Sequence, residues 1–231
     1  MYKKIEIMKH TKSLSLKAII AGLAIVACFN TKAQDWKSDQ RVNVLFGLNQ
    51  VLLLSGFNME VNYIYKRFIF DYSHGVSLVF KGSTSTSSFK KQGVEVHMPW
   101  TTGFGVGYRL TEWLNIRVEP KWHRFEFYYE NGPKNKSDKI TSYNTNSLGL
   151  GLYSSFRPFK KQDNFLNGIM ISPSIRFWPT VYSTLKDGKF TYFNKNTLAN
   201  EEIKTLDPGL GFTPLVINVS VGYSFNIKKK R

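Results

Sequence analysis

Between Gly93 and Leu110 the side-chain character alternates residue by residue. The even positions read Val94, Val96, Met98, Trp100, Thr102, Phe104, Val106, Tyr108 and Leu110, and the odd positions read Glu95, His97, Pro99, Thr101, Gly103, Gly105, Gly107 and Arg109. Successive residues of a strand point to opposite faces, so this pattern predicts one long strand with an apolar face and a polar face. At about 3.3 Å per residue it is about 55 Å long. Strands of soluble proteins usually run only about 3–10 residues. A strand tilted about 40° through a bilayer and projecting past it accounts for the excess.

The next segment, Trp113 to Tyr129, repeats the pattern. Leu114, Ile116, Val118, Pro120 and Trp122 share one face, while Asn115, Arg117, Glu119, Lys121 and His123 share the other. Ionisable residues in a row on one face must be solvated or mutually paired. A hairpin around Thr111-Glu112-Trp113 sets Gly107 opposite Arg117, Gly105 opposite Glu119 and Gly103 opposite Lys121. Glycine beside a large ion is the complementarity that a narrow barrel interior needs; the alternative is that the glycines mark bulges or bends. Asn58–Tyr65 and Phe68–Phe80 predict a second hairpin about Lys66-Arg67, with Met59, Val61, Tyr63 and Tyr65 paired to His74, Tyr72, Phe70 and Phe68. Lys-Arg is poor chemistry for a tight turn, which favours a loop longer than two residues. Four more alternating segments, Val42–Gln50, Ser147–Phe156, Ile169–Tyr182 and Leu215–Phe225, bring the total to eight, an even number as bacterial barrels require. The predicted fold is all-β: an eight-stranded antiparallel up-and-down transmembrane β-barrel with the apolar face toward lipid and the polar face inside.

The first 33 residues read differently. Lys3, Lys4, Lys9, Lys12 and Lys17 precede an apolar run, Ala18–Phe29, and Thr31-Lys32-Ala33 follows. This is the three-part pattern of a secretory signal peptide, too short for a spanning helix. The domain reading is 1–33 signal peptide and 34–231 barrel, with the mature chain starting at Gln34. Ile25-Val26-Ala27-Cys28 also fits a lipid-anchoring signal on the only cysteine; cleavage after Ala33 is favoured because an integral barrel needs no acyl anchor. Six lysines and one glutamate leave with residues 1–33, so the mature balance is 26 basic against 15 acidic side chains. An exported chain rarely meets nucleic acid, so anionic lipid and lipopolysaccharide are the expected counter-charge, with no nucleic-acid partner.

Connections alternate in character. Those at Lys66-Arg67, Thr111–Trp113 and Phe159–Asn167 are shorter, and those at Lys81–Gln92, Glu130–Asn146 and Thr184–Phe212 are long and polar. Barrels of this type have short periplasmic turns and long external loops, which predicts that both termini are periplasmic; the first external connection, Val51–Phe57, is the exception, being short and apolar. Aromatics flank the short turns, as an interfacial girdle would.

The last segment, VINVSVGYSF at 216–225, resembles the closing strand of outer-membrane barrels. The resemblance is to small eight-stranded barrels of the OmpA, OmpX or OmpW type and to those of the Bacteroidota, and it implies an outer-membrane location in a Gram-negative cell. It also implies that Phe225 is the terminal aromatic read by the barrel-assembly machinery. The sequence departs from that pattern by continuing as NIKKKR.

The polar face supplies Glu60, Asp71, Glu95, Arg109, Arg117, Glu119, Lys121, His123, Arg157 and Arg176. The reading is a mutually paired network that fills the interior, because lumen charges need partners. The chain is then a structural, interaction or assembly protein, with a surface or periplasmic protein as a further partner; the alternative is a narrow channel for a small polar solute. Wide diffusion needs about 16–18 strands. A lipid A hydrolase would need a His–Ser pair on the lipid-facing wall. Alternation sends Ser73 and Ser77 inward and His74 outward, so an enzyme is not expected, and no cofactor or metal motif is present.

Overall fold

The computed structural model describes residues 39–80 and 91–227. The expectations about the signal peptide, Cys28 and Gln34 lie outside the described residues. Eleven strands follow in order: β1 (Gln40–Gly47), β2 (Phe57–Tyr65), β3 (Phe68–Phe80), β4 (Val94–Arg109), β5 (Leu114–Tyr129), β6 (Lys139–Ser154), β7 (Ile169–Phe177), β8 (Thr180–Ser183), β9 (Lys189–Asn194), β10 (Ala199–Lys204) and β11 (Leu215–Asn226). A short helix, α1 (Leu48–Leu53), separates β1 from β2.

Every pairing is antiparallel, and the β5–β6 pairing closes a ring of eight formed by β1 to β7 and β11. The fold is the predicted eight-stranded up-and-down barrel. Closure pairs each ring strand on both sides over most of its length. Beyond the Trp178-Pro179 break the chain resumes as β8, which continues along β6. Ring strands reach 16 residues in β4, β5 and β6.

The register of both predicted hairpins is as expected. Tyr65 pairs with Phe68, and Asn62 with Asp71; Gly107 pairs with Arg117, and Gly103 with Lys121. The first turn has only two residues, however, and is made possible by Lys66 at φ 57°. The second is tied by Thr111, whose Oγ1 accepts from the amides of Trp113 and Leu114.

Faces are sorted inside out. Phe104, Val106, Val118, Leu148, Leu150, Ile175 and Phe177 are exposed on the outer wall, each near half accessible, while Arg117 and Glu119 are at most 1% accessible inside. In water such an exterior would be an aggregation surface; in hydrocarbon it is the stable arrangement, since ring pairing satisfies most strand amides against lipid. At the end bearing the short turns, an aromatic belt includes Tyr63 against Phe70, Phe68 edge-on to Tyr108 at 5.9 Å, and Tyr223 against Phe225. Both described chain ends lie there, because Gln40 pairs with Tyr65 and Arg41 with Asn226.

The expectation of an unbroken phase through Gly93–Leu110 is corrected. A bulge between His97 and Thr101 inserts one extra residue of β4 against β5, and it turns the two ends of the strand to opposite faces. Pro99 lies inside it, and proline has no N–H to give to the ladder. Ser77, which lies between the pairs Val76–Trp100 and Leu78–Met98, takes φ 55° and inverts β3 at the same level. Above this line Val94, Val96 and Met98 point inward.

They meet Phe125, Phe127 and Tyr143 from the ring, and Tyr192, Ile203 and Leu206 from the connection after β8. That connection is thus more than the long polar loop expected from Thr184–Phe212: β9 and β10 pair as a hairpin, and its inner residues lie over the loop end of the barrel. Phe190 packs edge-on to Phe127 at 4.8 Å. Each large side chain fully buried in this way contributes about 1.5–3 kcal/mol. Strand β6 also begins at Lys139, eight residues ahead of its predicted start at Ser147.

Candidate functional site: the charged lumen

Below the apolar cap the bore is filled by ions. Strand β5 places Arg117, Glu119, Lys121 and His123 on successive inward positions. Arg117 lies between Gly107 of β4 and Gly151 of β6, and Glu119 faces Gly149. A Cβ at Gly107 would stand 2.7 Å from Arg117 Cγ, and one at Gly103 equally close to Lys121 Cγ. At Gly105 a Cβ would collide with Asp71 and press on Glu119. Glycine on the flanking strands is therefore what allows long charged side chains to lie across the bore.

Arg117 is the hub. Its Nη1 is 2.6 Å from Glu60 Oε1 and 3.4 Å from Asp71 Oδ2. Its Nε donates to Asn115 Oδ1 at 2.8 Å, and its guanidinium lies 3.9 Å from the centre of the Tyr153 ring. Arg176 approaches from β7, with Nη2 3.6 Å from the other Glu60 oxygen. Glu119 accepts from the Tyr153 hydroxyl and from Trp178 Nε1. Lys121 donates to Ser73 Oγ and stands 3.7 Å from Glu119 Oε1. Three cations thus face three carboxylates. Isolating a single ion here would cost several kcal/mol, which mutual pairing offsets.

Three other predicted members lie elsewhere. Arg109 forms a second cluster at the turn end: its Nη1 reaches Asp39 Oδ2 at 3.0 Å and Lys66 O at 3.1 Å, and Arg41 joins the same carboxylate at 2.7 Å. Arg157 lies past the end of β6, in electrostatic range of Arg41 and Arg109, rather than in the strand lumen. Glu95 is corrected. The β4 bulge turns it off the lumen face, and it pairs with Lys134 of the loop before β6. His97 turns out with it, 3.7 Å from Glu126 Oε2. His123 stays inside, at the upper edge of the central cluster, with Nδ1 2.7 Å from Thr101 Oγ1.

Alternation put Asn62 and Tyr153 on the polar face without assigning them to the network, and Trp178 and Arg41 were missed. Tyr153 and Trp178 fill the space left by Gly151 and Gly149. The signal was available in part: glycines recur opposite Arg117 and Glu119 on both neighbouring strands. Nothing local marks Trp178, whose inward position depends on the break at Pro179.

Ser73 faces the lumen on Lys121, away from His74, which pairs with the outward Met59. Ser77, expected inward, is instead exposed, because its φ of 55° inverts β3 at that point. Phe225 is exposed on the outer wall near the end of β11. Charged side chains inside, apolar ones outside and a closed ring decide the architecture.

The chain has the fold of an outer-membrane β-barrel. No family model matches it, and no curated protein matches it. Among solved structures it is similar to Ail, the attachment invasion locus protein of Yersinia pestis, at 10% identity over 81% of this chain and 99% of that one, with a TM-score of 0.42. It is also similar to a major outer membrane protein from Thermus thermophilus, at 10% identity over 82% of this chain and 100% of that one, with a TM-score of 0.40.

Proposed function

We propose that this chain is exported by a signal peptide cleaved after Ala33 and resides in the outer membrane as a closed, side-chain-filled barrel with both termini in the periplasm. It acts as a structural, interaction or assembly protein and not as an open pore or a lipid A hydrolase. The observation that carries the reading is the Arg117 hub: a guanidinium 1% accessible, set between two carboxylates and stacked on Tyr153, occupies the bore at its middle. The apolar cluster under the β9–β10 hairpin supports the same conclusion at the loop end. Lipid and lipopolysaccharide contact the apolar wall and the lysine-bearing loops, and the assembly machinery reads the β11 end through Phe225.

Planar-bilayer recording of the folded chain tests it. The expected record has no discrete conductance steps; reproducible steps would replace the filled barrel by the narrow-channel reading. Fractionation tests location: recovery in the soluble periplasmic fraction would overturn membrane residence.

A further inference from the structure

The ring is notched at one place near its loop end. Strand β1 pairs with β11 only as far as Gly47 opposite Ser220, whereas β11 continues up to Leu215 against β7 alone. On the other side of the notch, β2 covers β3 only to Val76, and β3 runs on to Phe80 against β4. Helix α1 crosses the gap. Its Asn49 Nδ2 donates to Ile217 O at 2.7 Å, meeting a β11 carbonyl beyond the reach of β1. The wall here is a single helical turn and a half, with Val51, Leu52 and Leu53 exposed on it.

Behind α1 is a cavity of about 260 Å³, near the lower end of the range in which small ligands bind (about 300–1,000 Å³). Its two ends differ in chemistry. Toward the outside the lining includes the exposed Leu53, Leu210 and Ile217, with Asn49 and Gln50 of α1 beside them. The floor is the upper surface of the lumen cluster, where Lys121, Arg176 and His123 contribute. No carboxylate lines the cavity among the described residues. His123 is 1% accessible, and its Nε2 has no hydrogen-bond partner. The Nδ1–Thr101 contact fits either tautomer; in the one where the hydroxyl donates to Nδ1, Nε2 carries the proton and presents a buried donor to the cavity, and an entering acceptor selects that tautomer. A buried donor left unmet costs about 1–3 kcal/mol, which an acceptor entering the cavity would recover.

We propose that this notch is a binding site for a single-chain anionic amphiphile of the fatty-acid class, carboxylate down and tail outward. One carboxylate offers acceptor positions for His123 Nε2, Lys121 and Arg176 together. Its first methylenes fill the cavity, and the rest of the tail leaves between Leu53 and Ile217 into lipid. The site rests on the membrane reading above, since the tail needs hydrocarbon outside the mouth.

The test uses the full chain in phosphatidylcholine nanodiscs. Trp178 is kept as sole tryptophan by replacing Trp36, Trp100, Trp113 and Trp122 with Phe. Trp178 lines the cavity, so 9,10-dibromostearic acid bound there quenches it. The expected result is saturable quenching, with an apparent affinity at least tenfold weaker for the methyl ester and for the His123→Phe variant. That variant removes the donor and leaves the Lys121 contacts with Ser73 and Glu119 in place. Quenching that rises without saturation, and equally for acid, ester and variant, would mean simple partition into lipid and would overturn the site. Heat-dependent gel mobility reports folding separately. A parent chain that does not enter nanodiscs in folded form would overturn the membrane reading, and this site with it.

Discussion

Replacing Arg117 by Met isolates the largest electrostatic commitment in the lumen. The substitution keeps much of the side-chain volume and removes the charge. Glu60 then keeps Asn62 Nδ2 at 2.7 Å and Arg176 Nη2 at 3.6 Å, but loses its 2.6 Å ion pair. Asp71 loses the cation at 3.4 Å, and its other oxygen already has no hydrogen-bond partner. Removing one partner of a buried ion pair costs about 3–5 kcal/mol, mostly because the remaining charge is stranded. Here Asp71 is stranded while Glu60 falls back on Asn62 and the longer Arg176 contact, so a loss within that range is expected. Urea unfolding in lipid vesicles, followed by tryptophan fluorescence and heat-dependent gel mobility, measures it. The double variant Arg117→Met with Glu60→Gln should recover about 1–3 kcal/mol, as contacting pairs in one network do. A single-variant loss below about 1 kcal/mol, or strictly additive effects, would refute the claim that these ions are buried against one another.

Gly149→Leu should prevent correct closure, because any Cβ there collides with the Trp178 indole; a normal heat-shifted band in membranes would contradict it. Phe225→Ala should slow insertion by the assembly machinery several-fold while leaving the stability of barrel already folded within about 1 kcal/mol, since the side chain is on the outer wall; pulse-chase assembly kinetics check it. In the β9–β10 hairpin, hydrogen bonds from Asn194, Thr197 and Tyr192 hold Glu201 below the usual carboxylate range. A depressed folded value stabilises the hairpin above the unfolded value of about 4.3 and loses that stabilisation as pH falls below it. Protection factors of the β9–β10 amides, in which the base-catalysed rise of intrinsic exchange with pH is divided out, should therefore fall below about pH 4 and remain flat from about pH 5 to about pH 8.

Period-two alternation was enough to read the ring, its eight strands and the pairing of both short hairpins. It worked because a wall between lipid and a polar lumen imposes opposite demands on the two faces of every residue pair. The same logic failed wherever a residue left the wall plane. Pro99 and Ser77 invert β4 and β3 together, which moved Glu95 and His97 out of the lumen and brought Val94, Val96 and Met98 in. Alternation alone carries no mark of a phase change when both faces still alternate. The hairpin over the loop end was missed because its strands are only six residues each, and Ile203 stands alone between Glu202 and Lys204, too short a stretch for alternation to register. Arg157 and Arg109 carry the right charge but sit where the strands end, and charge by itself says nothing of depth.

The central claim is the direction in which the two faces point. Single-cysteine variants Val118→Cys, Leu150→Cys and Ser174→Cys, made in the mature chain starting at Gln34, carry a nitroxide to two outward positions and one lumen position. Electron paramagnetic resonance in liposomes then compares quenching by oxygen, which concentrates in hydrocarbon, with quenching by a water-soluble nickel chelate. The account predicts that the labels at 118 and 150 are relaxed by oxygen and shielded from nickel, and that the label at 174 is immobilised and shielded from lipid. Nickel access at 118 and 150, with oxygen access at 174, would contradict it.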